Sequence, residues 1–126
     1  QGPRVYNKHL HPCGINPVQS TLTSSVCPVA LRLKQARVRS GLSQRNLGIA
    51  AGIDESSSSA RMNQYERAKH VPDFDTLSKL AKVLDVPVSY FYCVDDADAE
   101  FQLNFHQLHT TQQTQVKQLL ERINFA

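Results

Sequence analysis

The sequence predicts an all-α fold, and three observations carry that prediction. Apolar residues recur three and four positions apart between Val29 and Leu84, and again between Phe101 and Ile123, the spacing of a single helix face. Residues that start and stop helices punctuate the same stretch: Pro28, Gly41, Ser43, Gly52, Asp54, Pro72-Asp73 and Pro87. No segment carries a strand signal of note, in which apolar and polar residues alternate between turns.

The opening residues stand apart from this pattern. Gln1-Gly2-Pro3 reads as the scar of a cleaved tag and is set aside. Residues 4–28 contain Pro12, Gly14, Pro17 and Pro28 with a Ser/Thr run at 20–25, and no period is sustained. An irregular arm is expected there. His9, His11 and Cys13 alternate within it and are candidate metal ligands. Zinc sites call for a fourth ligand at a defined spacing, and none is evident, so a polar arm without metal is the preferred reading.

The first helix is expected from Val29 to Ser40. Pro28 suits a helix start, Val29, Leu33 and Ala36 share a face, and Gly41 suits its end. Ser43 can cap a second, short helix, in which Leu47 and Ala51 face inward with Gly48 beside them. Gly52 closes it and Ile53 plugs the turn. Asp54 is a candidate cap for a third helix beginning within or just before Ser56–Ser59, anchored inward by Met62 and Tyr65. Pro72-Asp73 recaps the chain for a core helix with the stripe Phe74, Leu77, Leu80, Ala81 and Leu84. Pro87 opens a short fifth helix with Val88 and Phe91 inward. Asp95, Asp96 and Asp98 read as an acidic linker. Beyond it Phe101, Phe105 and Leu108 share a face, Thr110 and Gln113 have capping-box spacing, and Val116, Leu119, Leu120 and Ile123 form a last amphipathic stripe. The domain reading is 1–28 arm, 29–94 helical domain, 95–126 helical extension.

Composition narrows the classes of function. At 126 residues with 40% hydrophobic content the chain makes one domain with one core. No apolar run approaches the roughly 18 residues of a membrane span, so no membrane partner is expected. No charged-then-apolar leader opens the sequence, so secretion is not expected. Cys13, Cys27 and Cys93 are odd in number and lack CxxC spacing, which fits a reduced, cytoplasmic location better than a disulfide framework. Net charge is +3, but residues 30–70 hold eight basic against three acidic side chains, and residues 71–126 hold four against eight. A basic segment in a nearly neutral chain suggests a face for a polyanion.

Two short helices joined at a glycine turn form a helix-turn-helix unit, whose second helix enters the DNA major groove. Close helix packing favours Gly48 and Ala51, and the turn needs Gly52. Ser58, Ser59, Arg61, Asn63 and Gln64 supply outward groups that can bond base edges and phosphates, since Arg pairs with guanine and Asn or Gln with adenine.

On Leu-Arg-Leu-Lys-Gln-Ala-Arg, Gly-Leu-Ser-Gln, Ala-Gly-Ile, Gln-Tyr-Glu-Arg-Ala-Lys and Thr-Leu-Ser-Lys-Leu-Ala-Lys-Val-Leu-Asp-Val, residues 29–92 resemble the lambda-repressor/Cro-like, or Xre, family of helix-turn-helix transcriptional regulators. The resemblance implies five helices, with the second and third forming the reading unit. It implies that Gln44 bonds a DNA phosphate and that Arg37 pairs with Glu66. Nearby Arg45 and Lys69 are read as further candidate contacts to DNA, with a solvated turn the alternative for Lys69. Two departures stand out. Four extra residues lie between Ile53 and Met62, which either start the third helix a turn early or lengthen the turn before it. Ala68 replaces the usual glycine before Lys69, which suggests a tighter or helical turn.

The site read from the sequence is therefore Gln44, Arg45, Ser58, Ser59, Arg61, Asn63, Gln64 and Lys69, with Arg37–Glu66 as a structural pair. No catalytic set, phosphate loop or HExxH is present, so no enzyme and no cofactor are expected. The function read from the sequence is a dimeric, nucleoid-associated repressor, with the 95–126 extension as a dimerisation surface; the alternative for the extension is packing over the core helices of its own chain. The competing reading is an antitoxin- or adaptor-type module that binds a protein such as a toxin.

Overall fold

Pro28 caps α1 (Val29–Ser40), the first of six α-helices in the computed structural model, which describes residues 27–125. The others are α2 (Gln44–Ala50), α3 (Ser58–Glu66), α4 (Phe74–Leu84), α5 (Asp96–His106) and α6 (Thr110–Phe125), with a 3-10 helix, η1, at Val88–Tyr92. No strand occurs among the described residues, so the all-α expectation is met. His9, His11, Cys13 and most of the expected arm lie outside them.

The helix ends follow local chemistry. Gly41 adopts φ +75°, and its N–H bonds back to Val38 O at 3.1 Å, closing α1. Ser43 Oγ accepts from the Asn46 N–H at 3.0 Å and opens α2. Asp73 accepts from the Thr76 N–H at 2.8 Å and opens α4. That bond holds the Asp73 carboxyl below the usual carboxylate range. Its contribution to stability is thus present above that range and fades as the pH falls through the lowered value.

The core gathers Val29, Leu33, Ala36, Leu47, Ile53, Met62, Leu77, Leu80, Leu84 and Phe91. Phe74 departs from the expected stripe and is 69% exposed. It is the first residue of α4, and side chains lean toward the helix N-terminus, so Phe74 projects past the edge of the core. In η1 the inward pair is Tyr90 and Phe91, packed edge to face at 5.7 Å, while Val88 is half-buried at the margin.

The C-terminal tract differs most from the sequence reading. Asp95–Asp98 is no linker. Asp95 caps α5 by accepting from the Ala97 N–H at 2.9 Å, and Asp96 receives Arg32 Nη1 at 2.7 Å. The buried face of α5 is Ala99 and Leu103, which join the main core; Phe101 and Phe105 stack on the opposite face, centroids 6.3 Å apart. The core therefore takes in residues past 94. The α6 cap lies one residue earlier than expected: Gln112 reaches back to the His109 N–H at 3.1 Å. No α6 residue is buried. Its ties to α5 are Gln113 Nε2 donating to Phe105 O at 3.0 Å and Lys117 over the Phe105 ring. No described helix is long and apolar enough to cross a membrane.

Arg32 secures α5. Its buried guanidinium donates to Cys93 O (2.8 Å), Val94 O (3.2 Å), Gln35 Oε1 (3.0 Å) and Asp96. Replacing it leaves the buried Cys93 carbonyl unpaired and removes the bond to Val94 O. Arg32→Ala is expected to lower the unfolding free energy by about 3 kcal/mol, and Asp96→Asn, at a site 63% exposed, by less than about 1 kcal/mol. Urea unfolding of both variants checks the order; equal losses would refute the primacy of the carbonyl bonds.

Candidate nucleic-acid interface

The centre of the interface is the joint between α2 and α3. Gly48 faces Ser58, the first residue of α3, and a Cβ at position 48 would lie 2.0 Å from Ser58 Oγ and 3.0 Å from Met62 Cγ. The helices meet this closely only because position 48 has no side chain. Ser58 is fully buried, and its hydroxyl donates to Arg45 O at 2.8 Å. Ser58 is thus removed from the outward contacts read from the sequence: its hydroxyl is spent in fixing the start of α3 to the first turn of α2.

The four extra residues lengthen the turn and leave the helix start at Ser58. Gly52 adopts φ +91°, Ile53 is buried, and the Ser57 N–H bonds to Asp54 O at 3.1 Å. The Asp54 carboxylate accepts from the Ser56 N–H at 3.3 Å and from the Ser56 hydroxyl. Asp54 therefore caps this turn, and α3 has no side-chain cap.

The far end of α3 is held by a second device. Arg37 Nε and Nη2 reach the two carboxylate oxygens of Glu66 at 2.7 and 3.0 Å, and Nη1 donates to Leu42 O at 3.0 Å. The Glu66 side chain is only 3% exposed. The carboxylate raises the Arg37 pKa further, so the guanidinium stays charged. The turn after α3 is neither tighter nor helical. Ala68 takes φ +58°, the Ala68 N–H bonds Tyr65 O at 3.3 Å, and the Lys69 N–H bonds Gln64 O at 2.9 Å. This is a Schellman closure with alanine in the position glycine takes at no steric penalty.

Between the two anchors, Met62 and Tyr65 turn inward, while Ser59, Arg61, Asn63, Gln64 and Arg67 are exposed. Ser59, Asn63 and Arg67 form one stripe at four-residue spacing. Arg67 is absent from the sequence-read set, although that spacing could have found it. Arg61 leans over the Tyr65 ring at 5.9 Å and donates to its hydroxyl at 3.0 Å. Gln44, at the start of α2, is half-buried, and Lys69 is exposed. Arg45 is exposed and ion-paired with Glu55 of the turn. Glu55 was likewise unread from the sequence, because nothing in the local pattern places it on Arg45.

Other chemistry finds little purchase. Burial pushes the Cys93 thiol up, away from nucleophilic range. No cluster of metal-ligating side chains occurs among the described residues.

Two short helices fixed at a glycine contact, the second presenting a polar face, define a helix-turn-helix unit. Comparison with known proteins agrees. The family model described as a helix-turn-helix domain matches residues 29–89. The solved structure of the transcriptional regulator BswR is 45% identical, with a TM-score of 0.70 over 74% of this chain and 92% of that one. No curated protein matches significantly. The chain belongs to the helix-turn-helix regulators.

The joint yields a direct test. Gly48→Ala is expected to destabilise by about 1–3 kcal/mol through overpacking, although alanine is the better helix former. Adding Ser58→Ala removes the clashing oxygen and should recover part of that loss. Thermal unfolding of the single and double variants reports it, and additive losses would refute the contact.

Proposed function

We propose that this chain is a sequence-specific regulator of transcription that binds double-stranded DNA, acting as a dimeric repressor and reading the major groove with α3. Membership of the helix-turn-helix regulators supports DNA binding. The observation that carries the finer reading is the outward polar face of α3, held at both ends by Ser58 and by Arg37–Glu66. A reading helix must present its side chains from a fixed frame, and in such units its N-terminal residues meet base edges while the preceding helix crosses the backbone.

Roles follow from position. Ser59, Asn63 and Gln64 face outward for base edges, and Arg61 for a base or a phosphate. Gln44, Arg45 and Lys69 are phosphate contacts that set register without carrying sequence information. This assigns the protein to the cytoplasm, at the nucleoid.

Dimerisation is supported by α6. Leu119, Leu120 and Ile123 are each about half exposed on one stripe, on a helix with no buried residue. The apolar stripe of α6 is left open by its own chain, and burying it against a partner would stabilise the helix. A second copy fits the two-fold operators such proteins read. The same stripe is the one observation that favours an adaptor or antitoxin reading, with another protein in place of the second copy.

In binding assays against sites selected from random duplex DNA, Gln64→Ala and Asn63→Ala are expected to lose about 1–3 kcal/mol of discrimination at one base pair each. Lys69→Ala should weaken all sequences alike and flatten the salt dependence. Unchanged sequence preference in the α3 variants would sink the reading. For the dimer, the Leu119→Glu/Ile123→Glu double variant should sediment as a monomer where the parent sediments as a dimer; a parent that sediments as a monomer would favour the adaptor.

A further inference from the structure

Glu55 is an acidic side chain set at the reading end of a basic unit. It lies in the lengthened turn, three residues before α3 begins, and it holds Arg45 in an ion pair. Arg45 in turn supplies the carbonyl that receives the buried Ser58 hydroxyl. The pair therefore bridges the first turn of α2 and the approach to α3, the two places such a unit turns toward the phosphate backbone and the bases. Both side chains are open to solvent, at 51% for Arg45 and 69% for Glu55, so the pair does little for the fold.

We infer that Glu55 is an internal competitor for DNA phosphate, restraining Arg45 and so weakening attraction to duplex DNA of any sequence. The inference rests on the DNA-binding reading above. Its logic is electrostatic. Attraction to non-operator DNA comes almost entirely from basic side chains displacing counterions from phosphates. A guanidinium already paired with a carboxylate contributes less to that attraction than a free one. An exposed pair is also weak, so phosphate can displace Glu55 once the duplex is seated, and Arg45 is not lost as a contact. Asp54, the neighbouring carboxylate, is engaged by Ser56 within the turn and is not placed on a basic side chain. Glu55 alone in the turn thus acts on the contact surface.

The test uses the full chain and two duplexes of equal length, one selected by the wild-type protein from a random pool and one of scrambled sequence. Glu55→Gln keeps the size and polarity of the side chain and removes its charge. It is expected to tighten binding to the scrambled duplex about threefold and to steepen the log–log salt slope by up to about 0.9. In an Arg45→Met background the same change should have little effect, since the restrained charge is gone. Unchanged affinity and slope in Glu55→Gln would overturn the inference while leaving DNA binding in place. A full effect that persists without Arg45 would also overturn it, by pointing to direct repulsion between Glu55 and phosphate. A wild-type protein that binds neither duplex would overturn the DNA-binding reading itself.

Discussion

The close approach at Gly48 is the contact on which the arrangement of this protein depends. It lets the Ser58 hydroxyl reach Arg45 O at 2.8 Å, and so sets where α3 begins and which of its faces turns outward. A methyl group there would push α3 off its seat or rotate it. Because α3 has no side-chain cap of its own, this packing replaces a local capping signal. The start of the helix is decided by its neighbour and not by its own first turn.

Helix α1 completes the frame through two arginines. Arg37 holds the C-terminal end of α3 by a bidentate pair and ties the α1–α2 turn to the same group. Arg32 gathers the carbonyls after η1 and the first turn of α5. The buried Arg32 guanidinium and the partly buried Arg37 guanidinium are tolerated because their donors are met by oxygens in good geometry, the condition under which desolvation of a charge is offset. The lengthened turn at 54–57 lies outside this frame. Extra loop residues add little closure entropy, so a lengthened turn beside the start of α3 costs the fold little.

The helices of residues 29–92 were legible because their caps and apolar stripes agree: Ser43, Asp73 and Gly41 each do what their chemistry suggests. Where the structure departs from the apolar stripes, the cause is that apolar size does not by itself set burial. In α5 the small Ala99 seats the helix against the core, while the larger Phe101 and Phe105 stack on the far side. Phe74 fits the stripe by angle but falls beyond the core by depth. Polar residues erred in the opposite sense. Ser58, Arg32 and Asp96 look solvated in sequence, and each is claimed by a partner between 13 and 64 residues away. Such partners leave no local trace. At Ala68 the hydrogen-bond closure imposed a left-handed residue where propensity alone would not place an alanine.

Charge is divided unevenly along the chain. The basic surplus lies in residues 30–70, which include α2 and α3, and the acidic surplus lies in residues 71–126. The acidic side chains of α5, Asp96, Asp98 and Glu100, disfavour a polyanion there, whereas α6 holds Lys117 and Arg122 against Glu121 and is not acidic. Yet α6 carries an apolar stripe that water does not tolerate well on a helix of this length, and its ties to the body are one hydrogen bond to Phe105 O and one cation–ring contact. A face that is apolar and joined to its own chain by so few polar ties is better suited to a protein than to DNA. Helix α1 bonds to both parts of the fold, to α3 through Arg37–Glu66 and to α5 through Arg32–Asp96, so the polar face of α3 and the α5 extension share one frame.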